Sequence, residues 1–428
     1  MYGLYTLGLL LVFLAMLPRL LARYGRGGAF RGGIGQRRGR YAPEDLAGLR
    51  GRRPVWLHAV SVGEVLAIRG LVQAIRERWR DVPVLISTVT ETGQAVAAER
   101  LAEADARIYF PFDLPRSVRR ALEAIHPRLV LLAETEIWPN FLRACGDRAI
   151  PVVLVNGRIS PRSFPRYRLA RPFLRRVLRD LTLCLMQGDA DAERLRTLGA
   201  AADRVRVTGN LKYDLRTAPV PAGERRAWLT SLGIPEGAAV LLAGSTHRGE
   251  EAAAVAALCA LRQQVDPEAR LILAPRHPER LAEAEAAATA AGLSSGRWSA
   301  RPFPPLFHPP VILVDTVGEL ARLYALGTVV FVGGSLTPVG GHNILEPAQH
   351  GCPILFGPHM ANFAEMAAAF LAEGAAVQVA DAPGLTAAVL ALARDPTGAK
   401  RLGEAAAALL ERHRGATVRT VAALEALL

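Results

Sequence analysis

The sequence contains 428 residues, which is too long for one compact hydrophobic core and ordinary for two domains. Hydrophobic residues make up 51% of the chain, which excludes a disordered protein, and four scattered cysteines without a Cys-x-x-Cys pair predict neither a zinc site nor a disulfide framework. The net charge of +13 points to an anionic partner, which can be a membrane surface or a nucleic acid.

The first element in the chain is an apolar stretch at the N-terminus. Residues 2–17 carry no charge, which is near the lower length limit for a membrane span, and they lack the basic start and the cleavage site of a signal peptide. Arginines dominate the segment that follows. The positive-inside rule therefore predicts a membrane anchor at residues 1–24, a basic juxtamembrane segment at residues 25–53 and a body on the cytoplasmic side. A buried core helix of the soluble body is the alternative.

A second basic stretch lies between Arg158 and Arg179, where arginines recur with no acid before Asp180. A solvated helix face would normally mix both signs, so this stretch indicates contact with anions. Nucleic acid is the less favoured partner, because the chain has no zinc-finger spacing, no heptads and no interleaved aromatic and basic residues. An anionic, phospholipid-like membrane surface is predicted instead.

Short apolar runs separated by helix-length stretches follow Tyr41 and predict parallel β-sheets in α/β layers. The predicted strands of the first half are Val55–Ala59, Val84–Thr88, Leu129–Ala133, Val152–Val155, Cys184–Met186 and Val205–Thr208. Those of the second half are Val240–Ala243, Leu271–Ala274, Ile312–Val314, Val329–Val332 and Ile354–Phe356.

A segment that contains Pro219, Pro221 and Gly223 separates the two halves. It predicts a linker at residues 217–225 between an N-terminal domain at residues 54–216 and a C-terminal domain with terminal helices at residues 226–428. Two doubly wound, Rossmann-like domains that face a cleft are expected, with ligands at the carboxyl ends of the strands.

Acids and one unusual lysine follow the predicted strands of the first half. Glu64 lies at the start of a helix, where it is either an acid favoured by the helix dipole or a general base for an acceptor hydroxyl. Glu134 and Glu136 follow the strand Leu129–Ala133 and either cap the next helix or line the cleft. Lys212 is one of two lysines among 52 basic residues. Unless its presence is chance, it indicates a compact ammonium that stabilises transition-state charge.

The turns after the strands of the second half are typical of a nucleotide site. They combine glycines, hydroxyls, cations and acids where helices begin, which suits phosphate and ribose groups. These turns are Gly244–His247, Ala274–Arg280, Asp315–Leu320, Gly333–Ser335 and Gly340–Ala348. None is a Walker loop or a Gly-x-Gly-x-x-Gly fingerprint, none carries an Asp-x-Asp for a metal-bound nucleotide, and no residues cluster as a zinc site. A sugar-nucleotide site without a metal is therefore predicted.

Together these motifs resemble the bacterial Kdo (3-deoxy-D-manno-oct-2-ulosonic acid) transferase family of lipid A core biosynthesis. The matching stretches run in order along nearly the whole chain, which makes the resemblance specific. They are His58–Glu64, Glu134–Asn140, Asn156–Ser160, Gly209–Asp214, Gly244–His247, Arg276–Arg280, Asp315–Leu320, Gly340–Ala348 and Gly357–Phe363.

The resemblance implies a GT-B fold and a function. The enzyme would move Kdo from CMP-Kdo to a lipid A precursor, lipid IVA, with inversion and without a metal or other cofactor, at the inner membrane in lipopolysaccharide biosynthesis. The acceptor would bind the N-terminal domain and the donor the C-terminal domain. Glu64 matches the family's general base, and Glu134 and Lys212 match positions that stabilise the transition state. The CMP-contacting positions would be Arg276, His277, Val317, Gly318, Glu319, Asn343, Ile344, Leu345 and Glu346.

Two other functions are compatible with the residues alone. A related GT-B transferase could use another nucleotide sugar on a lipid acceptor, and competition between CMP and UDP would distinguish it. A non-enzymatic protein that binds membrane surfaces or nucleic acid could have kept the fold, and it would show strongly salt-dependent binding without turnover.

Overall fold

The computed structural model describes residues 1–24, 29–304 and 306–428. The described chain divides into two compact units, of which the first comprises residues 1–215 and 413–428 and the second comprises residues 216–412. Residues 25–28 begin the predicted juxtamembrane segment, and this part of the prediction lies outside the described residues.

The first unit is built on a parallel sheet with the strand order β3-β2-β1-β4-β5-β6-β7. Its strands are short, and those inside the sheet are buried on both faces, as expected when helices cover both sides of a parallel sheet. Trp56 and Leu132 contribute to the core on one face, and Leu57 and Leu131 contribute to the core on the other. The strands are β1 (Val55–His58), β2 (Val84–Thr88), β3 (Ala106–Tyr109), β4 (Leu129–Ala133), β5 (Val152–Gly157), β6 (Leu183–Met186) and β7 (Val205–Val207).

The helices of the first unit connect these strands and precede the sheet. They are α1 (Tyr2–Tyr24), α2 (Ala29–Arg37), α3 (Pro43–Leu46), α4 (Val62–Ala67), α5 (Arg69–Arg78), α6 (Glu91–Arg100), α7 (Pro115–Ile125), α8 (Pro139–Gly146), α9 (Phe164–Leu169), α10 (Arg171–Leu178) and α11 (Asp189–Leu198). Helix α7 is typical: Pro115 occupies its first turn, and Val118, Leu122 and Ile125 bury one stripe against the sheet.

The second unit repeats the architecture with the strand order β10-β11-β9-β8-β12-β13-β14. Its strands are β8 (Val240–Thr246), β9 (Arg270–Pro275), β10 (Ser295–Arg297), β11 (Val311–Leu313), β12 (Val329–Val332), β13 (Ile354–Phe356) and β14 (Val377–Gln378). Its helices are α12 (Ala222–Ser231), α13 (Glu250–Gln264), α14 (Leu281–Ala290), α15 (Leu320–Leu323), α16 (Leu345–Gln349), α17 (Ala364–Ala372), α18 (Ala382–Arg394) and α19 (Pro396–His413). The last helix of the chain is α20 (Ala416–Leu424).

Each sheet has a point where the strand order reverses. In the first unit the chain moves outward from β1 to β3 and returns to place β4 beside β1. In the second unit it moves outward from β8 and returns to place β12 beside β8. All registered pairs are parallel, so the predicted doubly wound architecture is confirmed. The carboxyl ends of the strands at such a reversal form a crevice that commonly binds ligands.

Three strands were not predicted. β3 is half polar, β10 contains no residue of high β-propensity, and β14 has only two residues. Two of them, β10 and β14, are edge strands, and β3 is the edge of the first sheet. Edge strands need less burial on both faces, so they lack the continuous apolar run on which the prediction depended.

The C-terminal segment, residues 413–428, belongs to the first unit, whereas the sequence analysis assigned it to the C-terminal domain. Helix α20 packs on α5, and Ala416 and Leu424 are buried in the core of the first unit. Asp214 fixes this return, because its carboxylate accepts hydrogen bonds from Gly415 N, at 2.7 Å, and from Thr417 N. The apolar face of a terminal helix can pack on either unit, and its sequence pattern does not specify which.

The predicted anchor segment forms α1, one face of which packs on the first unit. Tyr2 donates to Asp180 at 3.1 Å, Tyr5 donates to Asp113 at 2.9 Å, and both rings contact Phe173. No helix within residues 1–24, 29–304 and 306–428 has both the length and the apolarity that a membrane span requires.

Candidate functional site

Glu64 lies where β1 ends, at the reversal point of the first sheet. Ser61 caps α4, and the Glu64 carboxylate reaches back to accept from Val60 N at 2.7 Å and from the Ser61 hydroxyl at 3.1 Å. Ser61 Oγ in turn accepts from Glu64 N, so the two side chains hold the N-terminus of α4 together. Burial raises the pKa of Glu64, and the hydrogen bond from Val60 N partly offsets that rise. The carboxylate is therefore both a helix cap and a base with an elevated proton affinity.

Glu134 lies where β4 ends and pairs directly with Lys212. The Lys212 ammonium is 2.8 Å from Glu134 Oε1, and both side chains are mostly buried, with exposed fractions of 21% and 17%. Glu134 has a φ of 53°, a left-handed conformation that is uncommon outside glycine. Such backbone strain persists where the surroundings hold it, and it clusters at functional sites.

Glu136 is the third acid of this cluster, and the sequence did not single it out as a site residue. Burial raises the pKa of Glu136 to about 7, and the negative charges of Glu64 and Glu134 contribute to the rise. Carboxyl groups whose pKa values are separated by their surroundings are typical of acid–base sites. The spacing Glu134-Thr135-Glu136 after a buried strand was the signal that could have identified it.

A polar network holds the turn that carries Lys212. Asn210 caps this turn by accepting from Lys212 N at 3.0 Å, and its amide donates to Gln187 at 2.9 Å. Asn156 accepts from Leu211 N at 2.9 Å and has a φ of 54°. These amides fix the position of the ammonium through the backbone, and sequence analysis did not assign them this role.

The buried ring of His58, the last residue of β1, should make the unfolding free energy depend on pH. Its fully buried ring stacks on Phe110 at 3.8 Å between centroids, and burial lowers the pKa of His58 from 6.5 to about 3. Protonation therefore favours the unfolded chain, so this contribution is complete above pH 6.5 and is lost as the pH falls towards 3. We expect the unfolding free energy to decrease by about 1.4 kcal/mol per pH unit in this window.

Chemical denaturation between pH 7 and pH 4 measures this effect. His58→Leu should flatten the slope, whereas His126→Asn, which removes an exposed histidine at a left-handed position that asparagine tolerates, should leave it unchanged. An unchanged slope in His58→Leu would show that other groups cause the pH dependence.

In the second unit, one buried carboxylate ties together the turns at the reversal point. Glu250, which is 1% exposed, accepts from His247 N at 2.8 Å and Gly334 N at 2.7 Å, and from Ser335 N and Leu336 N at 2.9 Å each. The sequence suggested that the amides of Gly244–His247 would suit a phosphate. The amide of His247 is occupied by Glu250, so that part of the expectation does not hold.

Histidines lie beside these joined turns. His247 Nε2 and His342 Nε2 are 2.9 Å apart, and the two rings stack with centroids 5.1 Å apart. Burial, together with the neighbouring His247, Arg276 and His277, lowers the pKa of His342 to about 4. The pair is therefore neutral near pH 7, with one ring nitrogen donating to the other. His277 packs edge-on against His247 at 5.7 Å.

The residues predicted to contact the CMP sugar donor fall into two groups. Those of the segment Asn343–Glu346 lie close together. Asn343 donates to Glu346 at 3.1 Å and accepts from Leu345 N, while Ile344 and Leu345 are buried. Burial raises the pKa of Glu346, which the nearby Arg276 partly opposes.

The segment Val317–Glu319 follows β11, on the far side of β9 from this cluster. Val317 is exposed, Gly318 has a φ of 92°, and Glu319 accepts from the Trp298 indole at 2.9 Å. This indole holds the Glu319 side chain at the carboxyl end of β11.

Gly333 permits the close approach of the turns after β8 and β12. Its N–H donates to Gly244 O at 2.8 Å, and a Cβ there would lie 2.5 Å from Ser245 O. We expect Gly333→Ala to destabilise the second unit by about 1–3 kcal/mol, as overpacking does. Thermal unfolding measures the loss. Gly223→Ala in α12, where a Cβ meets nothing within 4 Å, is the control and should not destabilise the unit, because alanine favours a helix over glycine.

Within the described residues, no group of three or more His, Cys, Asp or Glu side chains is arranged to hold a metal ion. A cation adjoins each strand-end cluster. Lys212 pairs with Glu134 in the first unit, and the charge of Arg276 lowers the pKa of His342 and Glu346 in the second.

Solved structures share this architecture. Anabaena HepE in complex with UDP and glucose superposes with a TM-score of 0.56 at 15% identity, covering 88% of this chain and 99% of that one. The UDP-GlcNAc 2-epimerase of Neisseria meningitidis superposes with a TM-score of 0.57 at 13% identity, covering 87% and 99%. At this identity the likeness concerns the fold alone. Two Rossmann-like units of this kind define the GT-B type of architecture.

Sequence relatives identify the family. Residues 32–215 match the profile described as 3-deoxy-D-manno-octulosonic-acid transferase (kdotransferase). The 3-deoxy-D-manno-octulosonic acid transferase of Bordetella pertussis is 38% identical, covering 99% of this chain and 98% of that protein. The Haemophilus influenzae protein of the same name is 33% identical, covering 85% of each. The chain belongs to the 3-deoxy-D-manno-octulosonic acid transferase family and is a glycosyltransferase.

Proposed function

We propose that this glycosyltransferase moves Kdo from CMP-Kdo to a hydroxyl of a lipid A precursor in lipopolysaccharide biosynthesis. Membership of the 3-deoxy-D-manno-octulosonic acid transferase family supports both Kdo as the transferred sugar and its transfer in lipopolysaccharide biosynthesis. The observation that carries the chemistry is the cluster of Glu64, Glu134, Glu136 and Lys212 at the reversal point of the first sheet.

The proposed step is an inverting displacement. The acceptor oxygen attacks the anomeric carbon of Kdo and forms the new glycosidic bond, while the bond from that carbon to the phosphate oxygen breaks and CMP leaves with the electron pair. Glu64 takes the proton of the acceptor hydroxyl, for which a carboxylate of raised pKa is suited. Lys212, which Glu134 orients, stabilises negative charge on the Kdo carboxylate or the departing phosphate.

The second unit is the proposed donor site. Arg276 and His277 would contact the CMP phosphate, and Glu346, which Asn343 orients, would accept from ribose hydroxyls. Ile344 and Leu345 would act through their backbone, since their side chains are buried. Val317, Gly318 and Glu319 would contact the base from the neighbouring strand end.

We propose that no metal takes part and that side-chain cations balance the charge of CMP. Lys212 and Arg276 supply fixed positive charge in the two units. Turnover that persists in excess EDTA supports this proposal, and turnover that EDTA abolishes and Mg²⁺ restores overturns it.

We further propose that the body is attached to the cytoplasmic face of the inner membrane through α1. The face of α1 opposite the protein contacts carries Leu4, Leu7, Leu11 and Leu14, which are between 54% and 74% exposed. An exposed apolar helix face of this kind favours insertion at a lipid interface. The exposed arginines of α9 and α10 would add attraction to anionic headgroups. Retention of the protein on anionic vesicles, and its loss in a Leu7→Glu/Leu11→Glu variant, tests this attachment.

The function is tested by transfer from freshly generated CMP-Kdo to lipid A precursor in detergent. Product formation that CMP inhibits better than UDP supports the proposal. No turnover by the folded protein, together with turnover of a UDP-sugar, would assign a different donor. Salt-dependent nucleic-acid binding without any turnover would favour a non-enzymatic role.

A further inference from the structure

A groove of about 1100 Å³ lies between α1 and the carboxyl ends of β2 and β3 in the first unit. Its walls are apolar and aromatic: Leu9, Leu10 and Phe13 of α1 on one side, and Phe110, Phe112 and Trp138 on the other. Pockets that bind small molecules are commonly about 300–1,000 Å³ and mostly apolar. The groove is therefore large enough for a substrate group.

Specific contacts hold the α1 wall in place. Asn140 donates to the Thr6 hydroxyl at 3.0 Å, Tyr5 donates to Asp113 at 2.9 Å, and Phe13 meets Phe112 edge-on at 5.8 Å. Asp113 is itself fixed, because it accepts from Asn140 N and Phe141 N. A helix that served only as a tether would need none of these polar partners on the body.

Two aromatic residues of the groove lining adjoin the segments that carry the catalytic cluster. Phe110 stacks on His58 at the end of β1 and lies 5.8 Å from the ring of Trp138. Trp138 is two residues beyond Glu136 in the chain, and His58 begins the turn that carries Glu64. A molecule whose hydroxyl lies near these acids could thus extend its apolar part into the groove.

The rim of the groove is cationic. Among the described residues, the basic side chains that line it are arginines. Arg38, Arg40, Arg116 and Arg120 are exposed, whereas Arg37 is buried and donates to Val89 O at 2.8 Å. The one acid in this described lining, Asp113, is buried and accepts from the donors named above. An apolar trough with a positive rim complements a molecule that joins hydrocarbon chains to phosphate groups.

We propose that this groove binds an acyl chain of the lipid acceptor, that its arginine rim contacts an acceptor phosphate, and that α1 is one wall of the acceptor site. This inference rests on the proposed function, because it assumes that the acceptor is a phosphorylated lipid. It gives α1 a role in substrate recognition that membrane attachment alone does not provide.

The binding of an acyl chain in the groove is tested by a substitution that fills part of the groove with an indole ring. Leu10→Trp should narrow the trough and raise KM for the acylated acceptor by about tenfold or more, which is about 1.4 kcal/mol. KM for a deacylated acceptor that keeps its phosphate groups, and the affinity for CMP, should not change. The control is Ala15→Trp, which adds the same group to an exposed position of the same helix and should alter none of these values.

The rim is tested separately with Arg120→Gln. It should raise KM for the acylated and the deacylated acceptor alike, whereas Arg119→Gln, an exposed neighbour outside the groove lining, should not. Leu10→Trp that leaves KM for the acylated acceptor unchanged would overturn the inference. A Leu10→Trp variant that loses only vesicle binding would also overturn it, since the groove would then hold bulk phospholipid. Absence of turnover in the wild-type protein with every acceptor would instead reject the proposed function.

Discussion

Replacing Glu64 by glutamine is expected to reduce kcat by roughly 10²–10⁴ while leaving the fold intact. The amide cannot accept the proton of the acceptor hydroxyl. Its oxygen can still accept from Val60 N, so the hydrogen bonds that begin α4 are retained. Transfer assays at saturating donor and acceptor measure the loss, and thermal unfolding verifies that the midpoint moves by no more than a few degrees.

Glu91 is the matched control for this experiment. It is an exposed acid in the first turn of α6, which a capping threonine begins in the same way as Ser61 begins α4. Glu91→Gln should alter neither turnover nor stability beyond the small effect of a helix-terminal charge, about 0.3–1 kcal/mol. Equal turnover by Glu64→Gln and wild type would leave Glu64 as a helix cap only.

Glu136 would then be the next carboxylate to test. With a pKa of about 7, it is half ionised near neutral pH. If it is the base, the wild-type rate should rise with pH as Glu136 ionises. In Glu64→Gln this rise should move to lower pH, because the negative charge of Glu64 no longer raises the pKa of Glu136. Glu136→Gln should abolish the rise. A flat profile in both variants would exclude this assignment.

Much of the fold could be predicted because a parallel sheet buried on both faces requires continuous apolar runs. The bounds of β2, β4, β12 and β13 agree with those expected from the sequence, and the remaining predicted strands differ by a few residues at their ends. The order in which the strands pair depends on contacts between residues that are distant in the sequence, so it could not be predicted. The close approach of Gly333 to Ser245 depends on this pairing and could not be predicted either.

The residues of the candidate site could also be predicted in part, whereas the contacts between them could not. Glu64, Glu134 and Lys212 could be selected because each follows a predicted strand, and strand ends of a doubly wound sheet meet at one edge. The direct Glu134–Lys212 pair could not be foreseen, since 78 residues separate the partners. Glu250 could not be selected from the sequence, because an acid in the first turn of a helix is common. Its role in joining the turns follows only from its burial among four backbone N–H donors.

Lys212→Met is expected to lower both stability and activity. The substitution leaves Glu134 without its partner in a mostly buried setting, which for a fully buried pair costs about 3–5 kcal/mol. The loss should fall at the lower end, since both side chains keep some exposure. Turnover should decrease by about 10²–10³, the usual effect of removing one group that stabilises transition-state charge.

Lys400 is a natural control, because it is the only other lysine of the chain. It is 77% exposed and lies 3.7 Å from Glu404 one helical turn away. Lys400→Met should change stability by less than about 0.5 kcal/mol and leave turnover unchanged. A comparable loss in both variants would mean that removing a lysine, rather than breaking the pair, causes the effect.

The double variant Glu134→Gln/Lys212→Met separates the two roles of the pair. Removing both charges eliminates the unpaired carboxylate, so most of the lost stability should return, as it does when a buried pair is replaced as a whole. Activity should stay low, because the ammonium that supports the leaving charge is absent. Recovery of turnover together with stability would show that Lys212 only neutralises Glu134, and the source of transition-state stabilisation would then have to be sought among the cations of the donor unit, beginning with Arg276.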